Sequence, residues 1–274
     1  MGGTLTGKTV VITGSTRGIG RSMAEACAAK GATVVVSSRT KAAVDETLAA
    51  IAKKGGKATG MVCDVAKESA LEALLEHAVE THGGVDVWVN NAGISLGMRF
   101  HEDESPEEIR RIVDINLIGT MLASRLVVPY MISRGGGVLI NVSGRGGRGD
   151  PAPYTAAYAA TKAGVMVFTK SIAGEHKGDP ISIHVFMPGM VDTDFYGEGM
   201  EVSPALRDVV SNIRIVLDCI GTPLESVGPR LAEVAGEKPG EKTGVVHSVN
   251  SGMRQMLGGF RIMWARITGR MKPM

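Results

Sequence analysis

Three observations predict an α/β fold, one doubly wound parallel sheet of about seven strands with helices on both faces. Short β-branched apolar runs alternate with longer helical patterns along nearly the whole chain. The first run opens directly into a glycine-rich turn and an Ala-rich helical stretch. The residues with chemistry to offer fall at or just after the ends of the runs, where open α/β sheets collect their ligands.

The first run, 8–13, reads as a buried strand and leads into Gly14-Ser15-Thr16-Arg17-Gly18-Ile19-Gly20 and a helix over 18–30. Such a junction suits a pyrophosphate, because glycines let the backbone approach the phosphates and the helix N-terminus faces the anion. Its spacing, Gly-x-x-x-Gly-x-Gly, differs from the commoner Gly-x-Gly-x-x-Gly. A second strand at 32–37 runs into Ser38-Arg39-Thr40-Lys41 and a helix over 41–54. A third at 57–63 is followed by Asp64-Val65 and a helix over 67–82. The fourth, 85–90, ends in Asn90-Asn91-Ala92-Gly93, ahead of a long helix over 106–134 that contains Asn116. The fifth, 137–143, ends at Ser143 and precedes a helix over 152–177. The sixth, 181–187, leads into Pro188-Gly189-Met190-Val191-Asp192-Thr193; a helix at 223–235 and a strand at 243–249 complete the alternation. Apolar strands joined by helices in this way form a sheet buried on both faces, a Rossmann-type architecture.

With 274 residues, no Pro/Ser-rich linker and no internal repeat, the chain is read as one catalytic domain over 1–250 and a tail over 251–274. A formal charge of +2 and 4% aromatic residues argue against dedicated nucleic-acid binding. Cys27, Cys63 and Cys219 are well separated and lack metal-ligand spacing, so no metal is expected and a reduced, cytoplasmic setting is. No signal-peptide pattern precedes the first strand, and no run reaches the roughly 18 apolar residues of a membrane span.

Tyr158 and Lys162, in Tyr-Ala-Ala-Thr-Lys, sit four residues apart and share one helix face. A free phenol, with a pKa of about 10, is a poor acid-base group at neutral pH, but a fixed cation favours its ionised form. Tyr154 has no such partner, since residue 158 is a tyrosine; it is a candidate for the pocket wall.

With the glycine loop, Asp64-Val65, Asn90 to Gly93, Asn116, Ser143, Tyr158-x-x-x-Lys162 and Pro188 to Thr193 in this order, the chain resembles the short-chain dehydrogenase/reductase family over roughly residues 5–250. The resemblance implies that Asp64 and Val65 flank the adenine of a nicotinamide dinucleotide. It places Asn91, Ala92 and Gly93 along the cofactor, and Pro188, Val191 and Thr193 at the nicotinamide end. It implies that Tyr158 is the acid of a carbonyl reduction, that Ser143 holds the substrate oxygen, that Lys162 lowers the Tyr158 pKa and binds the nicotinamide ribose, and that Asn116 extends a proton relay. A homodimer or homotetramer is the family expectation.

An acidic residue after the second strand would bond the ribose hydroxyls and repel a 2′-phosphate. This chain has Ser38-Arg39 there and Arg17 inside the glycine loop, and two guanidinium groups suit the 2′-phosphate of NADP(H).

Ser143 and Tyr158 are fifteen residues apart, joined by a loop that carries Arg145 and Arg148. Solvated charges or subunit contacts are the favoured reading of these arginines over an acidic substrate group. The loop, the Pro188 segment and the tail are similar to plant chlorophyll b reductases, some of which carry an acidic residue where this chain has Ser143. Residues 194–222, which include Phe195, Tyr196, Met200, Val209 and Ile213, occupy the region that closes over substrate in the family, and their apolar character suggests a lipophilic substrate. The tail from Ser251 to Met274 is basic and amphipathic; packing on its own or a neighbouring subunit is favoured over contact with an anionic membrane. The leading expectation is an NADPH-dependent reductase of a lipophilic aldehyde or ketone. Reduction of a 3-oxoacyl thioester is the alternative, and an NADP-binding regulator without turnover is third.

Overall fold

A computed structural model describes residues 4–193, 200–249, 258–264 and 268. Within them lie seven strands, β1 (Thr9–Ile12), β2 (Thr33–Ser38), β3 (Lys57–Val62), β4 (Val87–Asn90), β5 (Gly137–Val142), β6 (Ile181–Met187) and β7 (Val246–Ser248). The helices are α1 (Gly18–Ala29), α2 (Lys41–Lys53), α3 (Glu68–His82), α4 (Pro106–Val113), α5 (Gly119–Ser133), α6 (Ala156–Glu175), α7 (Arg207–Ser211), α8 (Ile213–Ile220) and α9 (Leu224–Ala235). The sheet is parallel, in the order β3-β2-β1-β4-β5-β6-β7. Strand order reverses between β1 and β4, so a crevice opens beyond their carboxyl ends.

Apolar side chains alternate along each strand between two cores, as the two-residue period of a strand requires. Val10 and Ile12 of β1, Val34 and Val36 of β2 and Ile140 of β5 pack with Met23 of α1, Ile51 of α2 and Leu231 of α9. Val11, Val35 and Leu139 face the other way, onto Leu71 of α3, Met131 of α5 and Ala173 of α6. A buried polar chain crosses the second face: Trp88 Nε1 donates to Asn90 Oδ1 at 2.8 Å, Asn90 Nδ2 to Asn141 Oδ1 at 2.9 Å, and Asn141 Nδ2 to Thr169 Oγ1 at 3.0 Å. It fixes α6 against β4 and β5.

Three expectations change in detail. The helix expected over 106–134 is interrupted by a π-helical turn, Asp114–Ile118, which contains Asn116. π turns inside α-helices concentrate at functional sites. The run Pro106–Ser133 is also, by length and composition, a helix apolar enough to cross a membrane, which the sequence reading did not find. Half of its most apolar stretch is buried inside the protein, and Val127 and Met131 belong to the second core. Residues 152–155 stay outside α6, because Pro153 disfavours a helical conformation for Ala152 and Tyr154 adopts a left-handed φ of 66°.

Over 200–222 the apolar pattern folds as a 3₁₀ turn (Pro204–Leu206), α7 and α8. Met98, Ile213 and Leu217 form a small separate core there, with Tyr154, Met190, Met200, Val209 and Val210 against it. Phe195 and Tyr196 lie outside the described residues, as do 251–257, 265–267 and 269–274 of the basic tail. In the described piece of the tail, Phe260, Met263 and Trp264 are exposed.

Candidate active site

Beyond the carboxyl ends of the strands lies a cleft of about 1570 Å³, larger than the roughly 300–1,000 Å³ of a site for one drug-sized ligand. The glycine loop forms one end of it. Gly14 has φ +63°, and a Cβ there would stand 2.9 Å from the Ala92 backbone; a Cβ on Gly20 would overlap the Gly14 carbonyl and lie 2.5 Å from Asn91 Nδ2. Side chains on either would fill the cradle into which α1 points its first N–H groups. Asn91 holds the loop from the β4 side, its Nδ2 donating to the carbonyls of Thr13 at 2.9 Å and Gly14 at 3.0 Å. Thr13, which the sequence reading missed, accepts at Oγ1 from the N–H groups of Asn91 (3.0 Å) and Ala92 (3.1 Å). It joins β1 to the segment after β4 at the switch point.

Thr16, Arg17, Ile19, Ser38, Arg39, Asp64 and Val65 line the same end. Ser15 does not: its N–H donates to Ser37 O at 3.0 Å and its hydroxyl to Ile12 O at 2.7 Å, and it is fully buried. Its role is to seat the loop on β1 and β2. Arg17 and Arg39 are exposed on the cleft wall, and Arg39 has no acidic partner among the described residues. The nearest carboxylates on α2 are engaged, Asp45 with Lys41 and Glu46 with Arg21. This donor set fits the anionic end of a nicotinamide dinucleotide.

At the centre of the cleft the first turns of α6 present Tyr158 and Lys162. Lys162 is only 4% exposed; its Nζ donates to Val142 O at 3.1 Å and sits 5.7 Å from the centre of the Tyr158 ring. Burial pushes the ammonium down to about 8, since desolvation disfavours the charged form. Two glycines make room for the pair. A Cβ on Gly93 would stand 3.3 Å from Asn116 Oδ1 and 3.5 Å from Lys162 Nζ, and one on Gly144 would stand 2.7 Å from the Tyr158 hydroxyl.

Asn116 is fully buried, and it bonds across the cleft wall rather than within its own helix. Its Nδ2 donates to Ile94 O at 2.9 Å and Thr161 Oγ1 at 3.2 Å, and its Oδ1 accepts from Ile94 N at 2.8 Å. Ser143 is likewise buried, and its hydroxyl donates to Lys162 O at 2.9 Å, which anchors the end of β5 to α6. Gly93, Ser143, Tyr158, Lys162, Pro188, Val191 and Thr193 all line one cleft.

Residues 8–201 match the family described as short chain dehydrogenase. The chain belongs to that family. It is 36% identical over 251 residues to the 3beta-hydroxysteroid dehydrogenase 1 of Eggerthella lenta, spanning 91% of this chain and 94% of that one. It is 32% identical over 247 residues to a protein of Arabidopsis thaliana designated chlorophyll(ide) b reductase NYC1, covering 84% of this chain but 49% of the longer relative. Among solved structures, a 3-ketoacyl-(acyl-carrier-protein) reductase from Brucella melitensis, complexed with NADH, is 30% identical and superposes with a TM-score of 0.77. That match covers 92% of this chain and all of the other.

In this short-chain dehydrogenase the far wall of the cleft is apolar. Met200, Val209, Ile213, Val216 and Ile220 line it together with Met98 and Tyr154, which pack with Met200, Val209 and Ile213 in one small core. Tyr154, whose side chain packs edge-on against Phe100 at 5.5 Å between ring centres, stands on this wall as expected. Its positive φ is uncommon for a bulky residue and marks a shaped segment beside the site. The cover is tied to the loop after β4, where Met98 N donates to Glu201 O at 2.8 Å and Ser203 N to Met98 O at 3.1 Å. Arg145 and Arg148 are exposed at the rim, with Asp150 beside them.

Proposed function

We propose that this oxidoreductase is an NADPH-dependent carbonyl reductase for a lipophilic aldehyde or ketone, working in reverse as an alcohol dehydrogenase. The observation that carries the proposal is the buried Lys162 ammonium beside Tyr158, in a cleft with Arg17 and Arg39 at one end and an apolar cover at the other. Bound at the glycine loop, the nicotinamide cofactor supplies the hydride. The protein's part is proton transfer and positioning. Tyr158 gives its phenolic proton to the oxygen of the carbonyl as negative charge develops there, and Lys162 stabilises the phenolate that remains. Ser143 turns its hydroxyl from Lys162 O toward the same oxygen. Asn116, through the carbonyl of Ile94 and Thr161, holds the wall beside Lys162 along which the proton is replaced.

The cofactor preference rests on Arg39 and on the absence of a carboxylate after β2, because the Brucella relative was solved with NADH. Substrate class rests on the cover: Met200, Val209, Ile213 and Val216 offer carbon where a polar substrate would need partners. NADPH oxidation across simple ketones, formyl-bearing macrocycles, hydroxysteroid-type ketones and 3-oxoacyl thioesters tests the reading. Faster turnover with NADH, or activity confined to small polar carbonyls, would overturn it.

A second reading, 3-oxoacyl-thioester reduction, draws on Arg145 and Arg148 at the cleft rim, where an acidic carrier or a phosphopantetheine would meet them. Selective loss of carrier-bound substrate on replacing both arginines by Ser would favour it. A silent cofactor-binding regulator is disfavoured, because Tyr158, Lys162, Ser143 and Asn116 are all kept. Assembly as a dimer or tetramer remains part of the proposal, and light scattering checks it.

A further inference from the structure

On the sheet face away from Tyr158's helix, three side chains converge without satisfying one another. His184, midway along β6, is fully buried, and neither of its ring nitrogens has a hydrogen-bond partner among the described residues. His247 of β7 is 7% exposed, and its Nε2 has none either. The two rings meet edge to face, 4.8 Å between centres. Glu237, two residues beyond the end of α9, brings Oε2 to 3.5 Å from His184 Nε2 and Oε1 to 3.8 Å from His247 Nε2. One ligand atom from each residue falls within 4.8 Å of the others. Buried polar groups in proteins are almost always bonded, so orphaned nitrogens of two imidazoles beside an orphaned carboxylate oxygen call for a group that takes one atom from each residue.

We propose that His184, Glu237 and His247 form a divalent transition-metal site of the zinc class. Two imidazoles and one carboxylate are a donor set for Zn²⁺ or Co²⁺; Mg²⁺ and Ca²⁺ want more oxygen than one carboxylate gives. A tetrahedral zinc with bonds of about 2.0–2.1 Å holds its donors about 3.3 Å apart. The two carboxylate–imidazole separations, one to each carboxylate oxygen, are within tenths of an ångström of that, and the three ligand atoms, now within 4.8 Å of one another, would draw together through side-chain rotation. No fourth protein ligand joins them among the described residues, which leaves one position for water.

The competing arrangement is an imidazolium paired with Glu237. Burial, followed by the charges of His247 and Lys242, pushes His184 down to about 4, and burial likewise lowers His247. A metal takes the neutral ring, and burial favours that form at both histidines, against the Glu237 charge at His247. Arg230 and Lys242 both oppose a cation here: at His247 the Arg230 charge acts more strongly than that of Lys242, although Arg230 also pairs with Glu233 at 2.7 Å, and at His184 it is Lys242 that acts. Structurally, the ion would clamp a three-residue edge strand to β6 and to the end of α9. β6 leads directly into Pro188, so the clamp supports one wall of the cleft without touching the reacting groups.

The test uses the full chain, stripped with chelator and dialysed against Zn²⁺ or Co²⁺. The expected result is about one equivalent bound per chain, a tetrahedral ligand-field spectrum with Co²⁺ and a higher melting temperature with Zn²⁺. Glu237→Gln and His247→Leu should each weaken binding by more than about tenfold and remove the melting shift, while the surface control His176→Asn keeps both. Lys242→Gln should tighten binding. Substoichiometric binding by the parent chain, or the same binding and melting shift in Glu237→Gln and His247→Leu, would overturn the site. Because Tyr158 and Lys162 are untouched in every variant, failure of the reductase reading would leave this result standing.

Discussion

The Lys162 ammonium lies 5.7 Å from the centre of the Tyr158 ring, in a position almost closed to water, and its bond to the Val142 carbonyl ties it to β5. Desolvation and catalysis pull against each other there. A buried cation acts strongly on a neighbouring phenol, but burial also makes the cation easier to lose. Tyr158→Phe keeps the packing and removes the proton, so turnover should drop at least about 10²- to 10⁴-fold while the dissociation constant for NADPH stays nearly unchanged. Fluorescence titration of NADPH beside steady-state rates separates the two quantities.

Lys162 also predicts a pH limb. Its ammonium persists below about 8 and is lost as pH rises through that value, so carbonyl reduction should fall with an apparent midpoint near 8. The stability sign is the reverse. Between about 8 and the ordinary 10.5 the unfolded chain holds more protons at this residue than the folded one, so this group's contribution to stability rises with pH across that window. Lys162→Arg retains a cation that does not titrate, and whatever reductase activity remains should lose the limb near 8. A midpoint unchanged in Lys162→Arg would assign the limb to another group.

Arg39→Asp should invert the cofactor preference. The substitution replaces an unpartnered guanidinium at the end of β2 with the carboxylate that bonds ribose hydroxyls and repels a 2′-phosphate. Losing one charge-assisted bond and adding a repulsion predicts a fall of about tenfold or more in kcat/KM with NADPH, and a gain with NADH. If the NADPH:NADH ratio stays the same, Arg39 is a solvated charge and Arg17 must carry the discrimination.

Gly20→Ala probes the loop through backbone rather than charge. The added methyl would overlap the Gly14 carbonyl, a backbone atom, and press on Asn91 Nδ2, a side-chain end already held by its bonds to the Thr13 and Gly14 carbonyls. The loop has to move, so affinity for both NADPH and NADH should fall together while circular dichroism stays native. A loss confined to one cofactor would point to the arginines and not to the cradle.

Much of this was legible in the chain because local signals agreed: β-branched runs, glycine turns and the Tyr158–Lys162 spacing each report on neighbours a few residues away. The parallel, doubly wound sheet follows from the same signals, since strands alternating with helices close as crossovers, but the strand order is given by the structure. What escaped depended on distant contacts. Nothing near Thr13 announces that it receives two N–H groups from residues 91 and 92, and nothing near Gly144 announces the Tyr158 hydroxyl. The π turn at Asn116 leaves no mark in a helical apolar pattern. Ser15 reads as part of the phosphate loop but turns inward to β1 and β2, a choice its neighbours do not dictate. His184 and His247 lie 63 positions apart and meet only because β6 and β7 are adjacent, so no spacing rule finds them.

Val209 tests the substrate class. It sits on α7 in the apolar cover, partly buried against Met98, Ile213 and Leu217, and faces the cleft. Val209→Asp puts a charge where a lipophilic ring would lie, and desolvating that charge against carbon is costly. For a lipophilic carbonyl, KM should rise about tenfold or more, with kcat less affected, because the contact is made equally in the ground and transition states. A small water-soluble ketone, too short to reach the cover, should keep its kcat/KM within about twofold of the parent enzyme. The Val209→Asn variant, polar but uncharged, guards against simple collapse of α7: it should show the same direction with a smaller change. Equal losses for the small and the lipophilic carbonyl would mean that the cover is structural core and that the substrate binds elsewhere in the cleft.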